Sequence, residues 1–442
     1  MTRPNILLIM TDQQSRHMMS CAGYPYLNTP AIDRLAEAGT RFTRAYCTNP
    51  VCVPSRFSLV TGRMPSEIKL QGNGPVGLPE IPEAIKDTGL GWTLKSGGYQ
   101  AVFAGKQHFP KMEAEDLGFE VLTFDERDKL AEMTADFVSK EHDKPWCLVA
   151  SFINPHDICY MAIRDHAEGG IQQGVMSRAT VPLDELDAAL ALAEDIPENE
   201  FWDKHCPPLP PNFEPQADEP EAVRALIDKR TFRAHARDNW DESRWRLHRW
   251  VYAKLTERVD GQIQKLLDSL RSGPSRDNTV IIFTSDHGDH NSSHKLEHKT
   301  APYEEAAGIP MILCDPNGVA GVVDDTNLVS NGLDIYPTIC DYAGIETPPH
   351  ITGRSLRPLA CGQNWGTPRE ALQIECEIGN VVVTRDHKYL KCFHGADAEQ
   401  LYDLVRDPHH TRNSAGEMAD ALEDHREHFA KLHPNHHDNV KG

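Results

Sequence analysis

One short segment combines a thiol with features that attract anions. Cys52 stands directly before Val53-Pro54-Ser55-Arg56, and Thr61-Gly62-Arg63 follows. Pro54 predicts the start of a helix, because proline is favoured in the first helical turn. The positive end of the helix dipole would then face Cys52 and favour a bound anion. Cys52 is therefore a candidate nucleophile, and a buried structural cysteine ahead of an ordinary helix is the alternative.

Acidic residues leave the ends of two apolar segments. Asp12-Gln13 follows the run Ile6 to Met10, and Asp286-His287-Gly288-Asp289 follows Thr279 to Thr284. Sites in open α/β sheets form at the carboxyl ends of strands, and oxygen ligands suit a hard divalent cation. We expect the two strand ends and Cys52 to converge on one metal. An aspartate that only begins a loop is the alternative reading.

Basic residues stand beside three further apolar segments. They are Lys106 and His108 after Ala101 to Ala104, His156 after Cys147 to Phe152, and Lys299 before Met311 to Cys314. Lysines can neutralise anionic oxygens, and a histidine near a leaving oxygen can act as a general acid. Solvated lysines and a hydrogen-bonded core histidine are the alternatives. Asn73, in Gly72-Asn73-Gly74, either contacts the substrate or only forms a turn.

Together these motifs resemble the type I sulfatases, the formylglycine-dependent family of the alkaline phosphatase superfamily. The family signature C-x-P-S-R-x-x-x-x-T-G-R is matched from Cys52 onward. The family's G-K-x-H element corresponds to Lys106 and His108, and its K-x-x-x-Y-E element begins at Lys299. With the other similar segments, the resemblance extends over residues 5–408.

The resemblance implies a modified nucleophile and a metal. In the family the cysteine, here Cys52, is oxidised to formylglycine by a formylglycine-generating enzyme. One hydroxyl of the hydrated aldehyde attacks sulfur, and the other then expels sulfate. The implied metal ligands are Asp12, Gln13, residue 52, Asp286 and His287. Ca²⁺ is expected, with Mg²⁺ or Mn²⁺ as alternatives. Many relatives have Asp where Gln13 stands, so Gln13 either binds the metal more weakly or stands behind the ligands.

The same resemblance gives roles to the remaining polar residues. The implied catalytic residues are Cys52, Arg56, Lys106, His108, His156 and Lys299, and the implied substrate contacts are Asn73, Lys106, His108 and Lys299. Arg56 would hold the nucleophile. Lys106, His108 and Lys299 would contact the sulfate oxygens, and His156 would assist the leaving oxygen together with Lys299.

The expected activity is hydrolysis of a sulfate monoester of a sugar, an aryl alcohol or a small alkyl alcohol. The Asp-Gln and Asp-His pairs also resemble choline sulfatases and phosphonate monoester hydrolases. Hydrolysis of phosphonate monoesters or phosphodiesters is therefore the alternative. Lys106 and His108 favour sulfate, because phosphonate monoester hydrolases usually lack this pair. A non-catalytic binding protein and a zinc enzyme that uses the Cys52 thiolate on phosphate are the other classes considered.

A second pattern is a row of histidines. His290, His294 and His298 are spaced by four, and on a helix they would share a face that could bind zinc. Asn291-Ser292-Ser293 is poor helix material. A loop over the site is expected instead.

Composition restricts the partners and the compartment. The 442 residues carry a net charge of −21, which speaks against nucleic acid and anionic membranes but permits a small anionic substrate in a basic pocket. The 11 cysteines include no CxxC pair and suggest a reducing compartment. The first apolar run is too short for a signal peptide or a membrane span. We expect a cytoplasmic enzyme, and the resemblance leaves a homo-oligomer possible.

The elements that must position these residues alternate between strand and helix. This order predicts an α/β fold with a large, mostly parallel sheet sandwiched by helices over residues 1–365. Thr29-Pro30 predicts a helix capped by Thr29, and Trp250 to Leu270 predicts a long amphipathic helix. Residues 160–245 lack clear periodicity and are expected to form an irregular insertion. Residues 366–442 predict a small C-terminal α+β domain with an antiparallel sheet.

Overall fold

A computed structural model describes residues 3–73, 80–168 and 170–434. The strands are β1 Asn5–Asp12, β2 Thr40–Phe42, β3 Ala45–Tyr46, β4 Gln100–Gly105, β5 Glu120–Thr123, β6 Trp146–Pro155, β7 Thr279–Ser285, β8 Met311–Cys314, β9 Val322–Asp324, β10 Val329–Ser330, β11 Leu372–Cys376, β12 Gly379–Val383, β13 His387–Cys392 and β14 Glu399–Asp403. The helices are α1 Pro30–Ala38, α2 Cys52–Thr61, α3 Glu83–Lys86, α4 Leu90–Ser96, α5 Asp128–Val138, α6 Cys159–Asp165, α7 Gly170–Met176, α8 Thr180–Glu194, α9 Glu198–Glu200, α10 Glu221–Asp228, α11 Thr231–Asn239, α12 Glu242–Ser272, α13 Glu304–Ala307, α14 Asn331–Ala343, α15 Arg357–Ala360 and α16 Ala419–Leu432.

The central sheet has eight strands in the order β5-β4-β6-β1-β7-β8-β2-β9. The strands from β5 to β7 are parallel, and β8 is antiparallel to both of its neighbours. Side chains of β1 alternate between two cores: Leu7 and Ile9 pack with α1, α5 and α12, whereas Ile6 and Leu8 pack with α2, α4 and α14. Burial on both faces explains the continuous apolar runs. The predicted α/β sandwich is confirmed.

The first helix has an unexpected cap. The side chain of Thr29 does not cap α1. The carboxylate of Asp260, on α12, instead accepts hydrogen bonds from the backbone N–H groups of Ala31 (3.1 Å) and Ile32 (2.9 Å). The prediction of a Thr29 cap was wrong because a more distant carboxylate satisfies these amides. The two helices are thereby fixed to each other.

Residues 160–245 are mostly helical, so the prediction of an irregular insertion was wrong. The segment contains the greater part of α6, all of α7 to α11 and the start of α12. Apart from α8, which has 15 residues, the helices that lie wholly in this segment are short, and Pro197 and Pro220 directly precede two of them. Short helices separated by prolines leave little periodicity to detect. The apolar residues of α10, Ala222, Val223, Leu226 and Ile227, pack on the C-terminal sheet.

The C-terminal sheet is antiparallel, in the order β11-β12-β13-β14. One of its faces, which includes Ile374 and Val381, packs on α10 and on Tyr46 and Tyr303. The other face, which includes Val382 and Tyr389, packs on α16 through Phe429. The antiparallel sheet is confirmed, and the domain boundary at 365/366 stays a prediction.

The membrane and disulfide expectations can be compared with the described residues. In the ranges that the structure describes, no helix is long and apolar enough to cross a membrane. All 11 cysteines lie in these ranges, and each is free. The compartment stays a prediction.

Glu375 makes stability depend on pH. This buried carboxylate of β11 accepts a hydrogen bond from the Ser66 amide, and burial raises its pKa from 4.5 to about 7. The folded chain therefore keeps the proton up to about pH 7, whereas the unfolded chain releases it near 4.5. The stabilisation is complete below the unfolded pKa and is lost as pH rises through the folded pKa. The expected loss is about 3 kcal/mol.

Glu375→Gln should remove this loss. Urea unfolding at about pH 5 and about pH 8.5 should show a stability decrease that is smaller by about 3 kcal/mol than in the unchanged protein. Glu377→Gln is the control, because the Glu377 side chain is 38% exposed and pairs with Lys229 on the surface. Equal pH dependence in the unchanged protein and in Glu375→Gln would contradict the assignment.

Candidate active site

The site lies where two parallel strands and one helix meet. Asp12 ends β1, Asp286 follows β7, and the register of these paired strands sets Thr11 opposite Ser285. Cys52 is the first residue of α2, two residues earlier than Pro54 predicted. Asp12, Cys52, Asp286 and His287 are all buried, and their ligand atoms lie within 4.8 Å of one another. Neighbouring strand ends thus bring together residues that are far apart in the sequence.

Cys52 is surrounded by groups that favour a negative charge. Its Sγ lies 3.2 Å from His287 Nε2 and 3.0 Å from Lys299 Nζ. Burial raises the pKa of the Cys52 thiol, but the charges of Lys299 and Lys106 outweigh it and hold the pKa well below its usual value. Position 52 can therefore carry an anionic or strongly polar group.

Arg56 ties the site together one helical turn after Cys52. Its guanidinium donates from Nε to Asp286 Oδ2 (2.7 Å) and from Nη2 to Asp12 Oδ2 (2.9 Å). Its Nη1 donates to the carbonyl of Lys106 (2.7 Å) and to Ser151 Oγ (2.8 Å). A buried guanidinium needs such partners. Arg56 therefore holds the strand ends that carry the carboxylates, and these bonds are with residues other than Cys52.

Lys106 and His108 leave the end of β4. Lys106 Nζ lies 2.7 Å from Asp12 Oδ2. His108 adopts a left-handed conformation with φ 48°, which turns the chain sharply after the strand, and its side chain is exposed. His108 contributes by hydrogen bonding to the low pKa of Cys52. The structure thus brings both residues of the pair to the neighbourhood of Cys52.

His156 follows β6 and enters the same cluster. Burial and the charges of Lys106 and Lys299 lower its pKa to about 3. Asp12 and a hydrogen bond with Cys52 oppose this shift. The imidazole is therefore neutral at physiological pH, unless a negative charge enters the site.

Gln13 is held between a lysine and a carboxylate. Its Oε1 accepts from Lys299 Nζ at 2.6 Å and from Cys159 Sγ at 3.1 Å. Its Nε2 donates to Asp289 Oδ2 at 2.6 Å. Asp289 accepts the amide hydrogens and thereby directs the amide oxygen towards Lys299. This arrangement favours the reading in which Gln13 stands behind the metal ligands, and its role stays a prediction.

Asn73 closes the start of α2. Its Oδ1 accepts a hydrogen bond from the Val53 amide at 2.8 Å. This bond satisfies an N–H group that has no partner inside the helix. The bond gives Asn73 a structural role, and substrate contact by Asn73 stays a prediction. Gly74, the last residue of the predicted turn, lies outside the described residues.

The row of histidines forms a buried loop. His290 donates its amide to the carbonyl of His298 at 2.7 Å, and the ring of His294 stacks on Tyr303 at 4.1 Å. Over residues 3–73, 80–168 and 170–434, only Asp12, Cys52, Asp286 and His287 form a group of metal-ligand type. The residues from His290 to His298 form a loop rather than the helix that would set the three histidines on one face, and the position of this loop over the site stays a prediction.

Sequence reasoning gave no role to three residues that support the site. Ser151 binds Arg56, Cys159 binds Gln13, and Asp289 binds Gln13. A serine inside the apolar segment Cys147 to Phe152 was a detectable signal, because a buried polar side chain needs a partner. Asp289 stood in a motif already noted, but its partner depends on the three-dimensional fold.

The site has one part with acidic side chains and one part with basic side chains. Burial and the charge of Cys52 raise the pKa of Asp12, but Lys106, His156 and Arg56 outweigh them and hold it well below its usual value. Burial and the charge of Asp12 raise the pKa of Asp286. The carboxylates can bind a cation, and the two lysines beside Cys52 can bind an anion. The arrangement therefore suits transfer of a tetrahedral anionic group to position 52.

Family models match most of the chain. The model described as Sulfatase matches residues 4–345. The model described as N-sulphoglucosamine sulphohydrolase, C-terminal, matches residues 292–433. The two matches together extend across both sheets.

Similar proteins carry sulfatase names. Delta 4,5-hexuronate-2-O-sulfatase of Bacteroides thetaiotaomicron is 27% identical, over 93% of this chain and 85% of the relative. Choline-sulfatase of Rhizobium meliloti is 25% identical, over 93% of this chain and 82% of the relative. The solved structure of a 2-O GAG sulfatase is 25% identical with a TM-score of 0.82, and the match covers 99% of this chain and 94% of that chain.

Proposed function

Because the chain belongs to the sulfatase family of the alkaline phosphatase superfamily, we propose that it cleaves a sulfate monoester with formylglycine at position 52 and a bound divalent metal. Membership of this family and the named relatives identify the chain as a sulfuric ester hydrolase. The observation that carries the finer proposal is the position of Cys52 Sγ. It lies 3.0 Å from Lys299 Nζ and within 4.8 Å of ligand atoms of Asp12, Asp286 and His287.

The ligand cluster fits the expected metal once residue 52 is oxidised. Two carboxylates and one imidazole surround Cys52. A thiolate prefers a softer ion such as zinc, whereas an oxygen at position 52 makes the set suitable for Ca²⁺, Mg²⁺ or Mn²⁺. Asp12, Asp286, His287 and residue 52 would hold the ion. When bound, it polarises oxygens and lowers the charge barrier for an anionic substrate.

Formylglycine supplies a hydrated aldehyde. The surrounding side chains position the substrate and balance its negative charge. Lys106, His108 and Lys299 bind the sulfate oxygens and oppose their negative charge. Arg56 fixes the carboxylates. The negative charge of the sulfate offsets the charges of the two lysines and thereby raises the pKa of His156. The imidazole can then carry a proton to the leaving oxygen.

The test is the mass of the peptide that contains residue 52, from protein produced together with a formylglycine-generating enzyme. A mass lower than the thiol form by the Cys-to-aldehyde difference, together with turnover of sulfate esters, supports the proposal. An unmodified thiol without turnover would favour a binding protein or thiolate chemistry. Metal analysis separates these two outcomes, because only the second requires zinc.

Hydrolysis of phosphonate monoesters or phosphodiesters is the second candidate function. The Asp-Gln and Asp-His pairs support it, and Lys106 and His108 favour sulfate. Lys106→Ala should lower kcat/KM for aryl sulfates by about 10²–10³-fold, and that for phosphonate monoesters much less. Steady-state kinetics on matched aryl esters measures both losses.

Lys111→Ala is the control for this comparison. Lys111 follows the same strand but pairs with Glu80 on the surface. It should leave both activities within about twofold of the unchanged enzyme. Equal losses on sulfate and phosphonate in Lys106→Ala would remove the reason to prefer sulfate.

The partners follow from this function. The substrate is a small anionic sulfate ester whose organic part is a sugar, an aryl group or an alkyl group. The maturation partner is the formylglycine-generating enzyme. A cytoplasmic location and a homo-oligomer stay predictions.

A further inference from the structure

Lys299 is held in an unusual stretch of backbone. The residues on either side of it have left-handed conformations, with φ 66° at His298 and φ 105° at Thr300. Such values are uncommon for residues other than glycine and are rarer still for a β-branched threonine. A conformation of this kind persists only where surrounding contacts fix the chain. Anchors in the flanking chain would therefore help to hold Lys299 in place.

Glu304 provides such a contact, five residues after Lys299. Its side chain is only 2% exposed. Its Oε1 accepts from Lys388 Nζ at 2.9 Å, and its Oε2 accepts from Arg16 at 2.6 Å and from the Tyr46 hydroxyl at 3.1 Å. Burial alone raises the pKa of Glu304, but Lys388 and Arg16 outweigh it and hold the pKa well below its usual value. The carboxylate is therefore an ionised anchor.

Lys388 belongs to the other sheet. It lies on β13, where it pairs with Val383 and Tyr402, and only 1% of its side chain is exposed. Lysines are almost never fully buried unless they are paired. Removing a buried partner leaves an uncompensated charge, so the position of Glu304 depends on this lysine. The C-terminal sheet thus reaches the segment that carries Lys299.

We propose that Lys388 is a positioning residue of the active site, which acts from the C-terminal sheet. With Arg16 it fixes Glu304, and Glu304 fixes the strained segment that presents Lys299 to residue 52. The inference rests on the proposed function, because Lys299 is taken to stabilise the charge on the leaving oxygen. The C-terminal sheet is then part of the catalytic arrangement as well as a packing partner.

The test is Lys388→Met, which keeps much of the side-chain volume and removes the charge. It is measured on the formylglycine-containing holoenzyme with a series of aryl sulfates whose phenols differ in pKa. If Lys299 moves, kcat should fall most for the poorest leaving groups, by about 10²-fold, and by about tenfold or less for the best. Lys388→Arg keeps a cation and should restore most of the loss.

A matched control is Arg369→Met. Arg369 also joins the C-terminal part to a buried carboxylate, Asp334, with both contacts at 2.7 Å. Its loss should lower stability without changing the dependence on leaving-group pKa. A uniform loss over all phenols in Lys388→Met, or no rescue by Lys388→Arg, would overturn the proposal.

Hydrogen exchange separates failure of this inference from failure of the proposed function. In Lys388→Met, the backbone amides of peptides covering residues 298–304 should exchange faster than in the unchanged protein. In Arg369→Met their exchange rate should stay the same. Both results are expected whether or not sulfate esters are cleaved. Unchanged exchange in Lys388→Met would overturn the positioning role. Faster exchange in a protein whose unchanged form cleaves no sulfate ester would instead refute the proposed function.

Discussion

Cys52→Ser and Cys52→Ala should lower kcat/KM for sulfate esters by at least about 10⁴-fold, because loss of a covalent nucleophile removes most of the catalysis. A serine has one hydroxyl and therefore cannot expel sulfate by re-forming an aldehyde. The fold should persist, since the polar neighbours of Cys52 Sγ are themselves bound to other groups, as Lys299 is to Gln13. Turnover and thermal unfolding measure the two effects separately.

Cys47→Ser is the matched control for this experiment. Cys47 is also buried, but it belongs to the apolar core, and burial raises the pKa of its thiol. This variant should lose some stability and keep its kcat. If Cys52→Ala retained most of the turnover, the covalent mechanism would be excluded.

Removal of the metal should have the second large effect. A bound divalent ion contributes several kcal/mol to stabilisation of transition-state charge, so chelation should lower kcat by about 10³-fold. Added Ca²⁺ should restore activity and raise Tm, because it binds the folded chain; at 100 times its Kd the stabilisation is about 2.7 kcal/mol. Activity and Tm are measured against free Ca²⁺ concentration.

Asp286→Asn should weaken the response of activity and Tm to Ca²⁺, because the substitution removes a carboxylate from the ligand cluster. Asp334→Asn is its control: Asp334 is equally buried and pairs with Arg369, but it lies outside the cluster. The control should lose stability and keep the same response to Ca²⁺. A chelated enzyme with undiminished turnover would contradict the metal proposal.

The sequence was sufficient to predict five of the eight strands of the central sheet and the meeting of the candidate site residues, but not the short strands β2, β5 and β9. Asn5–Asp12 and Thr279–Ser285 read as buried strands because both faces are covered. Because these two strands are parallel neighbours, the polar residues at their carboxyl ends lie close together. The meeting of these residues near Cys52 could therefore be expected from local patterns, whereas their individual roles came from the resemblance to the family.

Other features depend on contacts that a local pattern does not contain. Gln13 has a side chain that both donates and accepts, so only Lys299 and Asp289 fix its orientation. Lys388 resembles an ordinary surface lysine in sequence, and its burial follows from a carboxylate 84 positions away. The short helices of residues 160–245 carry apolar residues of their own, but the elements that these residues pack against are set by the tertiary fold.

Complete burial of Cys52 and Arg56 sets an order of events during synthesis. The oxidising enzyme is itself a protein and must bind the chain around Cys52, whereas a substrate is small, and in the folded chain every residue of α2 is buried. On the proposed route, oxidation must therefore precede the docking of α2. A chain that folds first stays an inactive thiol. The fraction of active enzyme therefore depends on the rate of oxidation relative to the rate of folding.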